Sequence, residues 1–116
     1  MDDSSSPDCL FCKIAAGLIP TRFVYEDDTV VAFPDISPVS PLHYLVIPKQ
    51  HFTSIIEVPV EVMGRVHQAI LQIVAKEGLS TKGFRLVNNS GSDGGQVVAH
   101  VHWHLLAGRK HTWPPG

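Results

Sequence analysis

Residues His100 to Leu106 read "HVHWHLL", three histidines alternating with apolar residues. A β-strand has a side-chain period of two, so His100, His102 and His104 fall on one face, with Val101, Trp103 and Leu105 on the other. At roughly 3.3 Å per residue, neighbouring imidazoles start about 7 Å apart along the strand. That spacing suits one ligand touched by all three, and it is also within reach of a shared metal ion. Reading this run as a strand decides the fold, because the other segments then assort around it.

Directly upstream lies "NNSGSDGG", Asn88 to Gly95. Its glycines free backbone N–H groups to converge on an anion without interference from Cβ atoms, as a phosphate cradle requires. A neutral imidazole can attack phosphorus when its other nitrogen is held in a hydrogen bond that fixes the tautomer. A neighbouring histidine of near-neutral pKa can hand a proton to a departing amine or alcohol. From the residues alone, the sharpest reading is phosphoryl or nucleotidyl transfer through a covalent phosphohistidine.

Further upstream, "FRLVNN" forms the strand before the glycine loop and "QVVAHVHWHLLA" the strand after it. From Pro59 to Gly78 the period changes. Val62, Met63, Val66, Ala69, Ile70, Ile73 and Val74 recur at spacings of three and four, one apolar helical face bounded by proline and glycine. "RFVYE" and "TVVAFP" flank "DD" as a hairpin, and "HYLVIP" is a third strand that Pro48 closes. "PDCLFCKIAAGLIP" is a short helix with Asp8 at its N-cap and Gly17 at its C-cap. Five strands and two helices without βαβ alternation predict an antiparallel α+β fold.

At 116 residues the chain is one domain, expected over residues 8–116 behind a disordered tail of residues 1–7. The net charge of −2 gives no basic field for a nucleic acid. The acidic start "MDDSSSPD" is unlike a signal peptide and no apolar run spans a bilayer, so a cytoplasmic location without membrane attachment is expected. Cys9 and Cys12 are too few and too close for a secreted disulfide framework. Their C-x₂-C spacing leaves half a metal site or a redox pair open.

"HVHWHLL" fits the His-φ-His-φ-His-φ-φ signature of the histidine triad (HIT) superfamily, φ being apolar. With "FPDISP", "HYLVIPKQH", "NNSGSDGGQ" and "GRKHTWPPG", the chain resembles the Hint branch, the histidine triad nucleotide-binding proteins, from Cys9 to Gly116. The resemblance implies a purine nucleoside phosphoramidate hydrolase that releases AMP. His102 matches the nucleophile that becomes nucleotidylated. His104 matches the third histidine, which contacts the α-phosphate and helps the leaving group, and His100 opens the triad. Asp35 and Ile36 match the ribose- and base-contacting pair. Asn89 and the backbone of Gly95, Gln96 and Val97 match the phosphate contacts. Trp113 matches a tail residue that reaches the partner's site in a homodimer whose sheets join.

Val97 stands where Hint proteins often have serine, a departure that removes a hydroxyl donor and implies slower turnover of amine leaving groups. Some HIT relatives bind zinc through C-x₂-C, a mid-chain histidine and the first triad histidine. Cys9, Cys12, His51 and His100 match that set, which implies a structural zinc and no catalytic metal. Three rival readings stand beside the phosphoramidate hydrolase: a dinucleoside polyphosphate hydrolase, a nucleotide-binding scaffold with little turnover, and a zinc-dependent structural module whose histidines have no activity of their own.

Overall fold

The computed structural model describes residues 8–116, and the expected tail of residues 1–7 lies outside them. Helix α1 spans Leu10–Ala15, followed by strands β1 (Tyr25–Glu26), β2 (Val30–Pro34) and β3 (Leu42–Pro48). A 3₁₀ turn at Ile55–Glu57 leads into helix α2 (Val60–Glu77), and β4 (Arg85–Asn88) and β5 (Trp103–Ala107) complete the chain. All strand pairs are antiparallel, in the order β1-β2-β3-β5-β4. The α+β class read from the sequence is therefore the observed one. No helix among the described residues is long and apolar enough to cross a membrane.

Alternation along the strands divides the interior in two. Val30, Ala32, Val46, Trp103 and Leu105 face α2 and pack on its Val66, Ala69, Ile70, Ile73 and Val74. Val31, Phe33, Leu45 and Ile47 face the other way and receive Phe11 and Ile14 of α1. The long helix thus seals one face of the sheet. The short helix covers only part of the other and leaves room for a site. α2 runs to the expected stop, where Gly78 takes φ 68° and its N–H caps Ala75 and Val74.

Two local expectations are corrected. The N-cap of α1 is Cys9 rather than Asp8, because the Cys9 sulfur accepts the Cys12 N–H at 3.3 Å. The histidine strand is also shorter than "QVVAHVHWHLLA", for β5 begins only at Trp103. Ahead of that point, side chains and a loop take over the ladder. His100 Nε2–H donates to the Pro48 carbonyl (2.9 Å), Asn88 Nδ2 donates to the His102 carbonyl (2.9 Å), and Val101 N–H reaches Phe52 O (2.7 Å). The division between faces survives the loss of regular pairing. Val101 still lies in the α2-side core, while His100 and His102 touch Phe11 of α1.

Candidate active site

β5 carries His104 into the uncovered face at the register Leu45↔His104, and the two residues before the strand bring His102 beside it. The His102 and His104 rings lie 5.1 Å apart, and Phe11 packs its edge on His102 at 5.2 Å. A pocket of about 450 Å³ is lined by His102, His104, His43, Asp35, Asn89 and Val97, among others. A larger apolar cavity of about 700 Å³ adjoins it between α1 and β2, with Asp35, Ile36 and Phe33 in its wall. Ile36 itself is almost fully exposed.

The hydrogen bonds fix which nitrogen of each imidazole carries the proton. His102 Nδ1 lies 2.8 Å from the His100 carbonyl, which can only accept. The proton is therefore on Nδ1, and the Nε2 lone pair is free. His43 Nδ1 accepts the Val39 N–H at 3.1 Å, so its own proton sits on Nε2. That proton points to His104 Nδ1 at 2.9 Å and to Asp35 Oδ2 at 3.4 Å. His104 consequently holds its proton on Nε2. One imidazole is left as a base and nucleophile, and its neighbour as a donor. Burial pushes His104 below the ordinary histidine pKa, helped by any positive charge on His102 or His43 and opposed by Asp35. Burial lowers His43 as well, again against Asp35.

The glycine loop is braced from within. The Gln96 side chain accepts from Gly91 N–H (3.0 Å) and donates to Thr53 O (2.6 Å) and Val98 O (3.0 Å). Gly95 N–H and Gln96 N–H bond to Ser92 O and Gly91 O, whereas Val97 N–H makes no bond among the described residues. Of the three expected phosphate donors, Val97 N–H is the one left for a ligand. At Gly94 a Cβ would lie 2.4 Å from the Ser90 carbonyl oxygen, so only glycine fits this turn. Asp35 Oδ1 accepts the Ser37 N–H at 2.8 Å, which sets the carboxylate at the pocket's edge. Trp113 is exposed, on a tail held by Arg85 Nη2–H to Thr112 O (2.9 Å) and by Ser40 against His111 (3.2 Å).

Behind the triad, Cys9, Cys12, His51 and His100 bring one donor atom each within 4.8 Å of the others. Cys9 Sγ and Cys12 Sγ lie 3.3 and 3.4 Å from His100 Nδ1, and His51 Nδ1 lies 3.3 Å from both Cys12 Sγ and His100 Nδ1. A tetrahedral zinc with sulfur at about 2.3 Å and nitrogen at about 2.0 Å has donor–donor edges of about 3.3 to 3.8 Å. The donor set fits that ion. His100 donates from Nε2 to Pro48, which leaves the Nδ1 lone pair facing the set, as a metal ligand requires. Burial pushes His100 down to about 4, so it is neutral at physiological pH.

Asp35, His43 and His104 also lie within 4.8 Å of one another. They do not make a metal site of the same quality. The Val39 N–H keeps a proton on His43 Nε2, where a metal would need a lone pair. This second cluster is a hydrogen-bonded relay.

Sequence reasoning assigned no role to His43 or Asn88. The signal for His43 was present, since His43, Leu45 and Ile47 share one strand face. Asn88 gave none, because its function depends on where β5 stops.

The HIT domain family matches residues 16–111. A 14 kDa zinc-binding protein from Brassica juncea is 42% identical, covering 94% of this chain and 100% of its own. An adenylylsulfatase, HINT1, from Arabidopsis thaliana is 42% identical over 97% of this chain and 79% of its own. A HIT family hydrolase from Legionella pneumophila has the same fold, with TM-score 0.90 and 48% identity over 94% of this chain and 100% of its own. The chain belongs to the HIT domain family.

Proposed function

We propose that the protein is a purine nucleoside phosphoramidate hydrolase of the Hint type, acting through a covalent nucleotidyl-histidine and releasing AMP. The observation that carries this reading is the opposed tautomers of His102 and His104. His102 Nε2 attacks the α-phosphorus and the bond from phosphorus to the leaving nitrogen breaks. The departing amine takes a proton delivered by His104. Water then attacks the phosphorus, returns a proton to His104, and AMP leaves with the restored imidazole behind it. Val97 N–H and Asn89 stabilise charge on the phosphoryl oxygens. Asp35 accepts from the ribose hydroxyls, and the apolar cavity beside α1 holds the base.

Cys9, Cys12, His51 and His100 would hold a zinc ion that, with four protein ligands, has no position for water and supplies bracing alone. β4 is an edge strand whose Leu86 is exposed, as are Phe84 just before it and Leu71 of α2. An apolar sheet edge of this kind suits pairing with a second copy, which would join the two sheets and bring Trp113 toward the neighbouring site. The hydrolase named among the structural relatives and the adenylylsulfatase both support a hydrolase.

The test is AMP release from adenosine 5′-phosphoramidate by the parent and by His102→Ala. Turnover that falls at least about 10³-fold in the variant, with AMP still bound, is the expected result. A parent that binds AMP and turns nothing over would leave a binding protein in its place.

A further inference from the structure

The cysteine cluster is not sealed from solvent. A cleft of about 440 Å³ has Cys9 and His51 in its wall, with Asp8 and Thr53 beside them. Cys9 and His51 are half-buried there, whereas Cys12 lies behind with 4% of its surface exposed. The two sulfurs lie within 4.8 Å of each other, and the Cys12 N–H donates to Cys9 Sγ at 3.3 Å. Between the two in sequence stands Phe11, which lines both the reaction pocket and the adjoining apolar cavity. Its ring meets His102 edge-on at 5.2 Å and His100 at 5.9 Å. α1 has only 6 residues, too few to hold a helix alone, so contacts with the sheet keep Phe11 in place. The sulfurs supply part of that hold, through His100 and His51.

We propose that Cys9 and Cys12 form a peroxide-sensitive pair, whose oxidation to a disulfide dismantles the metal cluster and loosens nucleotide binding. The proposal rests on the zinc and nucleotide readings above. Hydrogen peroxide reaches Cys9 through the cleft and meets a thiolate, the form in which cysteine binds metal. Cys9 Sγ attacks one peroxide oxygen. An S–O bond forms, the O–O bond breaks, and the departing hydroxide takes a solvent proton to become water. Cys12 Sγ then attacks the Cys9 sulfur. The S–S bond forms, the S–O bond breaks, and a second hydroxide leaves as water with a second solvent proton. The two thiolates together give up two electrons, and the peroxide is reduced to two waters. In the product the sulfurs stand about 2.05 Å apart and no longer converge with His51 and His100, so two of the four donors are lost. Drawing Cys12 onto Cys9 also remodels the first turn of α1 and shifts Phe11 from its place against His102.

The experiment uses the full chain, reduced and zinc-loaded, before and after a small molar excess of hydrogen peroxide. The chain has two cysteines, so a thiol count on the denatured protein should fall from two to none. A chromogenic chelator should register zinc released in step with the thiols. Calorimetry should show the Kd for AMP rising about tenfold. Dithiothreitol with added zinc should restore both. Cys9→Ser cannot close the bond, so the same treatment should leave its Kd where it stood. Thiols that survive the peroxide overturn the proposal, as does a disulfide found only between two copies on a non-reducing gel. So does a complete Cys9–Cys12 disulfide with zinc retained or AMP affinity unchanged, or an equal loss of affinity in Cys9→Ser. A reduced parent that takes up no zinc overturns the zinc reading and the proposal with it, while the hydrolase reading stands. One that binds zinc but no AMP overturns the nucleotide reading and the proposal together, before any peroxide is added.

Discussion

Two clusters in this molecule are each built around a pair of histidines, and in each the donor atoms lie within 4.8 Å of one another. In the first, His51 and His100 meet Cys9 and Cys12; in the second, His43 and His104 meet Asp35. What separates them is the group that holds the far side of each ring. Pro48 offers His100 a carbonyl, which takes the proton and leaves a lone pair turned inward. Val39 offers His43 an N–H, which takes the lone pair and leaves a proton turned inward. A carbonyl behind the ring makes a metal ligand, and an N–H behind it makes a proton donor. The same side chain is assigned opposite chemistry by one backbone atom.

If the division is real, the two clusters fail differently when broken. The largest effect belongs to the cysteine cluster. Cys12→Ala removes a buried thiol of the proposed zinc set at the joint between α1 and the sheet, and is expected to cost several kcal/mol of stability. Urea unfolding of the zinc-loaded protein measures this, and a strong chelator should reproduce it in the parent. A parent equally stable with and without chelator would dissolve the distinction. His104→Ala should do the reverse, lowering kcat about 10²-fold while zinc content, read by elemental analysis, stays at the parent's level. His43→Gln is the finer cut. The amide oxygen can still accept from Val39 N–H, but the imidazole donor to His104 is gone. A fall in kcat of about tenfold with KM nearly unchanged is expected, together with an altered pH profile for kcat.

How far the sequence reveals this depends on range. Histidine alternation marks the site face even where regular strand pairing has ended, because Val101, Trp103 and Leu105 need the α2-side core. The α2 boundaries were legible since proline and glycine act within one turn of themselves. The four cysteine and histidine donors could be named only through the resemblance to zinc-carrying HIT relatives, since the C-x₂-C spacing alone left a redox pair open. The relay could not, because its decisive partner, the Val39 N–H, is a backbone atom in a proline-broken loop and leaves no mark in the residue types. Asn88 and the side-chain role of Gln96 were hidden for a similar reason. Each bonds to a backbone carbonyl whose position follows from how the chain closes between β4 and β5.

The smallest effect, and the most specific, is the response of stability to acid. Burial holds His43 and His104 below the ordinary histidine value of about 6.5, whereas the unfolded chain protonates both at that value. Below pH 6.5 the unfolded state therefore binds more protons than the native state, and stability falls with falling pH until the native pKa values are passed. Above pH 6.5 the contribution is fully present. His43→Gln deletes one of the two groups, so it should lose less stability than the parent between pH 7 and pH 5.5. The cluster of Cys9, Cys12, His51 and His100 is common to both proteins, and its own acid sensitivity cancels in the difference. Parallel stability curves would mean that His43 titrates alike in the folded and unfolded chains, and a variant that loses more than the parent would mean that His43 already carries a proton in the native state near neutral pH. The Val39 N–H would then face a protonated nitrogen, and the relay would lose the constraint that sets His104 apart from a metal ligand.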